Sequence, residues 1–447
     1  MTESDRLIII GGGLAGCEAA WQAAKAGCMV ELYEMKPHHF SPAHESSFLA
    51  ELVCSNSFRS DDPHSAVGLL KEEMTRLGSL VMEAARATAV PAGKALAVDR
   101  ELFARTISEA MENNPFIDVR REEINALPDT TTSPYILATG PLTAESMADS
   151  LSRFTGKQRL FFYDAIAPII ESESLDRHIV YEKSRYDEGP GDYLNCPMDK
   201  EHYMRFIDAL AGGNSVPLHS FEKVKYFEGC LPIEVMCERG PETLRYGPMK
   251  PVGLPDPRTG REPYAVVQLR KENLQGTHYN MVGFQTKLSY PEQKRIFTLI
   301  PGMERAVFSR YGSIHRNTFI CAPELLMPTL QMRTHPNLLI AGQLSGVEGY
   351  IESAAMGLLA GINGSRIAKG ISPLTPPPAT ALGALVRHLT ATEADRFQPS
   401  NINFGLFPPL GRKIPKRQRG AARAELARID MGKWIDQEGL SAEAQDS

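Results

Sequence analysis

The chain has 447 residues, 43% hydrophobic and 23% charged, with a formal net charge of -6. That length allows two or three cores of ordinary domain size, and the composition is that of a folded globular protein. No apolar run approaches the thickness of a bilayer, so no membrane span is expected. The first apolar run follows an acidic start and is full of glycine, which excludes a secretory signal. Seven cysteines, an odd number with no CxxC pair, form neither a disulfide framework nor a zinc or thioredoxin-type centre. No metal site is expected, and thiols that stay reduced fit the cytoplasm. The acidic balance argues against a globally basic nucleic-acid binder but permits a local basic face.

Leu7-Ile8-Ile9-Ile10 is a continuous apolar run, the mark of a strand buried on both faces. A glycine turn follows, then an alanine-rich helix over 14–26 that Gly27 closes, and a second strand over 29–34. Residues 35–93 read as irregular, with polar clusters. Asp99 caps a helix that runs to Met111, with Leu102, Phe103, Thr106, Ile107, Ala110 and Met111 on one side, and Asn113-Asn114-Pro115 stops it. Strands are expected over 117–121 and 135–138. Residues from about 143 to about 336 show many short strands and turns and read as an inserted domain. A further buried strand over 337–341 precedes a glycine-rich helix from Gly349 towards Gly370. A proline linker over 373–378 leads to a helical C-terminal segment.

Gly11-Gly12-Gly13-Leu14-Ala15-Gly16 fits GxGxxG between a strand and a helix. Gly11 permits the tight turn, Gly13 lets the backbone approach a pyrophosphate, and Gly16 lets the helix pack on the strand. The helix N-terminus offers N–H groups and a positive dipole end to phosphates. Glu34 ends the second strand where a ribose-binding carboxylate belongs. Such a start suits a nicotinamide, S-adenosylmethionine or flavin site alike. Two later segments select FAD. Ile136-Leu137-Ala138-Thr139-Gly140 resembles the strand-end segment of two-nucleotide-fold flavoproteins. Leu338-Leu339-Ile340-Ala341-Gly342, with Gly346 and Gly349-Tyr350, resembles their C-terminal motif. The fold class implied is α/β: a Rossmann-like, glutathione-reductase-type FAD domain (1–142 and 336–372), an inserted α+β domain (143–335) and a helical C-terminal segment (373–447).

Five further segments narrow the family: Glu51-Leu52-Val53-Cys54-Ser55-Asn56-Ser57, Asp192-Tyr193-Leu194-Asn195-Cys196-Pro197-Met198, Tyr226-Phe227-Glu228-Gly229-Cys230-Leu231-Pro232, the run from Tyr246 to Leu254, and the run from Tyr311 to Thr318. With the dinucleotide motifs they resemble the folate- and FAD-dependent tRNA (uracil-5-)-methyltransferase family, TrmFO, related to the MnmG/GidA flavoproteins. The resemblance runs to about residue 409. It implies methylation of the T-loop uridine of tRNA at carbon 5, with methylenetetrahydrofolate as one-carbon donor, FAD as cofactor and NADH or NADPH as reductant. Uracil carbon 5 is a poor nucleophile until a thiolate adds to carbon 6, so the chemistry needs cysteine. The resemblance implies that Cys230 is the adding thiolate and Cys54 its partner beside the flavin, and the sequence does not order the two roles. Nothing in the linear neighbourhood of Cys230 lowers its pKa, and Glu228 opposes ionisation.

Cys17, Cys28, Cys237 and Cys321 read as small packing residues, whereas Cys196, in a polar, turn-like segment, stays undecided. His315 and Arg316 are candidates for the folate side, with a structural histidine as the equal alternative. Lys250 and Arg270 suit either a folate tail, an RNA phosphate or ordinary surface charge. The basic cluster Arg412, Lys413, Lys416, Arg417, Arg419, Arg423 and Arg428 suits RNA phosphates, a solvated helix face being the alternative. The same chemistry on a ribosomal uridine and a small-molecule flavin oxidoreductase are the competing functions. The sequence carries no signal of oligomeric state.

Overall fold

A computed structural model describes residues 6–128, 133–156, 160–185, 191–217, 226, 231–411 and 414–440. The strand Arg6–Ile10 sits in the middle of a five-stranded parallel sheet. Met29–Tyr33 and Ile117–Arg120 lie on one side of it, Tyr135–Leu137 and Leu338–Ile340 on the other. A central parallel strand is covered on both faces, which is why it is written as an unbroken apolar run. Helix Leu14–Lys25 follows the glycine turn and packs against helix Tyr350–Ala368. A methyl group added at Gly357 would lie 2.2 Å from the Ala15 carbonyl oxygen, and one at Gly361 would lie 2.3 Å from that of Ala19. The first and last parts of the nucleotide domain are thus joined backbone to backbone.

The second core belongs to a six-stranded antiparallel sheet, ordered Tyr181–Glu182, Tyr193–Met198, Ala265–Lys271, His278–Met281, Ile169–Glu171 and Phe308–Arg310. Helices Lys200–Ala211 and Tyr290–Phe297 contribute Tyr203, Phe206 and Phe297 to it, and Phe284 lies among them. Between the two cores runs an antiparallel ladder, Leu160–Ala165 against Ile314–Phe319. Phe162 and Phe319 anchor its far end in the first core. The ladder carries the chain out to the inserted sheet and back again.

Residues 35–93 are more ordered than their sequence suggests. Helices Ala66–Arg76 and Leu80–Ala87 form there, capped by the Ser65 and Ser79 side chains, and strand Ser57–Ser60 pairs with Ala95–Val98. The helical pattern is disguised because Lys71 and Glu73 are buried on the packed face of the first helix. Lys71 donates to the carbonyls of Arg59 and Ser60, and Glu73 accepts from the N–H groups of Ala381 and Leu382. Burial pushes the Glu73 carboxyl up to about 8 even so.

Those two N–H groups open helix Ala381–Ala391, so a buried carboxylate caps a helix over 300 positions away in the chain. Helix Arg419–Glu438 also enters the first core, through Ala424, Ala427, Met431, Trp434 and Ile435. The C-terminal helices therefore pack into the nucleotide domain's own core. Among the described residues no helix is long and apolar enough to cross a membrane.

Substitution Gly361→Ala is expected to lower stability by about 1–3 kcal/mol, because the atom it meets is backbone and cannot turn aside. Thermal unfolding of the holoprotein measures this, and an unchanged midpoint would contradict the close approach.

Candidate active site

The nucleotide end is built by backbone. Gly11 adopts φ +105°, and a side chain there would sit 2.5 Å from the Ala138 carbonyl oxygen. Its N–H donates to the Tyr33 carbonyl at 2.8 Å, and Ala138 N–H donates to Ile10 at 2.8 Å. Gly16 supports the turn from behind, since a methyl there would lie 1.8 Å from the Gly11 carbonyl oxygen. No side chain caps helix Leu14–Lys25 at Gly13, and a methyl at Gly13 would meet nothing within 4 Å. That pattern fits a pyrophosphate drawn to free N–H groups and the dipole end.

A cleft of about 1090 Å³ opens above this turn. Gly11, Gly12, Gly13, Leu14 and Ala15 line it, as do Glu34, Ala138, Thr139 and Gly140. Glu34 accepts from the N–H of Gly12 at 2.9 Å and from that of Lys36 at 2.9 Å, one on each oxygen. A carboxylate has about four acceptor positions, so two remain for ribose hydroxyls. Gly342 and Gly346 stand behind the wall: a methyl at Gly342 would press on Ala15, and one at Gly346 would lie 2.4 Å from the Phe397 ring. The dimensions, the bare helix end and the carboxylate suit an adenine dinucleotide such as FAD.

A second cavity of about 1230 Å³ continues from the first, sharing Val53, Pro141, Leu142, Gln343 and Tyr350 with it. Cys54 lines this second space and is only half-buried. Its N–H and that of Ser55 donate to the Tyr350 hydroxyl, at 2.8 and 3.1 Å. Arg100 holds the same loop from the other side through the Leu52 carbonyl at 2.6 Å. Tyr350 is the first residue of the helix that packs on Leu14–Lys25, so the thiol is tied to the nucleotide turn through one hydroxyl.

The two-stranded ladder supplies the opposite wall. His315 and Asn317 face the cavity, and Asp164, the ladder partner of His315, lines it beside them. His315 shares a hydrogen bond with the Ser313 hydroxyl at 2.8 Å. Burial, and then the Arg310 guanidinium, hold its imidazole down at about 4, so it is neutral near pH 7. Arg316 is absent from this wall. Alternation along the strand turns it away, and its guanidinium lies 3.8 Å from the Phe161 ring centroid. Arg270 also lines the cavity and donates to Asn56 at 2.9 Å, while Lys250 is exposed elsewhere.

Residues that no sequence motif singled out, Asp164, Asn280 and Glu348, complete the site together with Tyr350. Tyr350 does stand next to Gly349 at the end of the C-terminal flavoprotein motif. Asp164, Asn280 and Glu348 carry no local signal, because only the ladder, the inserted sheet and the helix entry bring them together.

The other thiols divide by burial. Cys17 and Cys28 are sealed in the first core, and burial raises the Cys17 thiol well above its ordinary value. Cys237 is buried and Cys321 partly so. Cys196 lies in a strand, Tyr193–Met198, and not in a turn. It is fully buried with its thiol pushed up by desolvation, which makes it a packing residue. Cys230 lies outside the described residues. On either side of that segment, Tyr226 bridges to Tyr163, and Ile233 N–H donates to the Gln285 carbonyl at 2.7 Å, Gln285 being a cavity residue.

Arg412 and Lys413 also lie outside the described residues. Lys416 and Arg417 stand in a short turn, Lys416–Gln418, where Arg417 is exposed. Arg428 is committed to Glu72 at 2.9 Å and to the Pro63 carbonyl, which removes it from the basic cluster.

Comparison with known proteins adds three findings. The family model described as GIDA, glucose inhibited division protein A, matches residues 6–372. A Desulfotalea psychrophila protein named "Methylenetetrahydrofolate--tRNA-(uracil-5-)-methyltransferase TrmFO" is 63% identical over 99% of this chain and 99% of its own length. One of the same name from Moorella thermoacetica is 58% identical over 93% of this chain and 94% of its own. A solved structure of Aquifex aeolicus GidA has the same fold, with a TM-score of 0.72 at 17% identity, covering 100% of this chain and 75% of that one.

Gly13→Ala is expected to weaken FAD binding about tenfold or more, a loss of about 1.4 kcal/mol. The stability of the FAD-free protein should hold within about 1 kcal/mol, since nothing in the protein meets the new methyl. Flavin titration alongside thermal unfolding separates the two effects.

Proposed function

Because the chain belongs to the TrmFO family, within the span of the glucose inhibited division protein A model, we propose that it methylates carbon 5 of a tRNA uridine at the expense of methylenetetrahydrofolate. The observation that carries this reading is a half-buried thiol, Cys54, in a cavity continuous with a dinucleotide cleft. The T-loop uridine is the target, NADH or NADPH the reductant, and the cytoplasm the compartment.

Bound FAD supplies the hydride that turns the transferred methylene into a methyl group. The chain's own residues do the rest. The glycine turn, Glu34 and the helix end would hold the cofactor. Cys230 adds to uracil carbon 6, and that bond makes carbon 5 nucleophilic towards the methylene carbon. Loss of the carbon 5 proton, with departure of the folate nitrogen from the methylene carbon, leaves an exocyclic methylene, and reduction of that carbon to methyl restores the ring double bond as the Cys230 thiolate leaves. Cys54, held by Tyr350 through the backbone, accepts that proton in this reading. Neutral His315 offers a flat, uncharged face on the folate side. The uridine reaches this space only after it is extruded from its loop.

Incubation with unmodified tRNA, methylenetetrahydrofolate and a nicotinamide reductant should yield 5-methyluridine on nucleoside analysis. Cys230→Ala should abolish product with FAD still bound, whereas loss of FAD in that variant would mark the residue as structural. Flavin turnover without methylated RNA would support a small-molecule oxidoreductase instead.

The exposed turn at Arg417, with Arg412, Lys413 and Lys416, meets the RNA phosphates in this reading. Neutralising these residues should flatten the salt dependence of tRNA binding by about 0.7–0.9 logarithmic units for each phosphate left without a cation. An unchanged slope rules out a phosphate-binding role for this turn.

A further inference from the structure

Glu348 and Asn280, in the second cavity, each keep a buried polar atom without a partner among the described residues. Glu348 is 5% exposed and Asn280 is 2% exposed, and both line the cavity with Cys54 and His315. Glu348 Oε1 accepts from the Gln343 amide at 3.0 Å, while Oε2 has no hydrogen-bond partner among the described residues. Asn280 Nδ2 has none either. A buried polar atom left unpaired is costly, so one acidic oxygen and one amide donor in the same cavity mark the place of a polar ligand.

The donor pattern identifies that ligand. The reaction brings three heterocycles to the cavity: the flavin ring, the uracil and the pterin of folate. Uracil and the flavin's pyrimidine ring present one N–H flanked by two carbonyls. The 2-amino-4-oxopyrimidine ring of a tetrahydropterin presents two adjacent donors, N3–H and the 2-amino group, with a carbonyl beside them. Only the pterin offers a carboxylate two parallel N–H groups, the arrangement that gives strong bidentate pairing. We propose that Glu348 recognises the N3–H and 2-amino edge of the folate pterin, and that Asn280 donates to its 4-oxo group. This rests on the methyltransferase reading above.

The surroundings of Glu348 fit such a role. Burial and then Asp164 push its carboxyl well above the usual carboxylate range, Glu352 adds to this, and Arg59 opposes it. Arg59 is itself ion-paired with Glu352, so it does not neutralise Glu348. Arg270, His315 and Cys54 are the other ionisable groups beside it in the cavity with Tyr350, and His315 is neutral near pH 7. Without ligand the carboxyl holds its proton to a pH above the usual carboxylate range. Two accepted N–H bonds favour the ionised form, so pterin binding releases that proton to solvent. The sign follows: affinity for the pterin rises with pH as the ligand-free carboxyl approaches its raised pKa, and levels off above it.

The test is calorimetric titration of the FAD-loaded enzyme with tetrahydrofolate, which carries no one-carbon unit, in two buffers of different ionisation enthalpy. Below the raised pKa of the ligand-free carboxyl, wild type should bind with release of a proton. Glu348→Gln should bind about 10- to 100-fold more weakly and without that release, with flavin content and tRNA affinity unchanged. Unchanged tetrahydrofolate affinity and proton count in the variant would overturn the proposal, as would loss of tRNA affinity alone, which would give the carboxyl to the uracil. Should Glu348→Gln fail to retain FAD, Asn280→Ala carries the test. It is expected to weaken tetrahydrofolate several-fold, and an unchanged affinity would overturn the assignment. Failure of the wild-type enzyme to bind tetrahydrofolate at all would instead remove the functional reading beneath it.

Discussion

The close approach of helices Leu14–Lys25 and Tyr350–Ala368 determines where everything else in the site can be. Gly357 and Gly361 leave room for the backbone at Ala15 and Ala19, and nothing larger fits. This packing seats the start of the second helix beside the start of the first, so Tyr350 reaches both cavities. The Tyr350 hydroxyl then accepts two N–H bonds from the loop that carries Cys54. A cavity-lining thiol is therefore positioned by helix packing nearly 300 residues further along the chain. Removing either the small residues or the hydroxyl would loosen the same loop by different routes.

The two cavities differ in how far the protein satisfies its own polar groups. At the nucleotide end, Glu34 is held by two backbone donors and the turn closes on main-chain bonds. That surface is preformed, as a tightly held cofactor requires. At the ladder end, Glu348 and Asn280 keep unpaired atoms in a buried space, and two carboxyls and an imidazole crowd together. Such a cavity leaves polar groups for a ligand to satisfy. A resident cofactor and a substrate that must enter and leave in each cycle call for these two kinds of site.

How much of this was legible in the sequence follows from where the forces act. Strand, glycine turn and helix at the start are set by local patterning, and Asp99 caps its helix through the Leu102 N–H three residues on. These were readable. The helix Ala66–Arg76 was not, because Lys71 and Glu73 find their partners in distant segments and so break the apolar stripe. Arg316 sits next to a cavity residue in sequence but on the opposite face in the strand. Arg428 looks like part of a basic cluster until Glu72 is seen beside it. In each case a residue's role was decided by a neighbour far away in the chain.

The cysteines show the same division most sharply. Seven thiols are alike in composition, and only resemblance to a family singled out two of them. Burial supplies the physical distinction. Cys17 and Cys196 sit where desolvation suppresses the thiolate, so neither can act as nucleophile or base. Cys54 keeps access to a cavity lined by two arginines, a neutral imidazole and a buried acid, where a reactant can reach its sulfur. A thiol that takes part in a reaction needs that access, and a sealed one cannot have it.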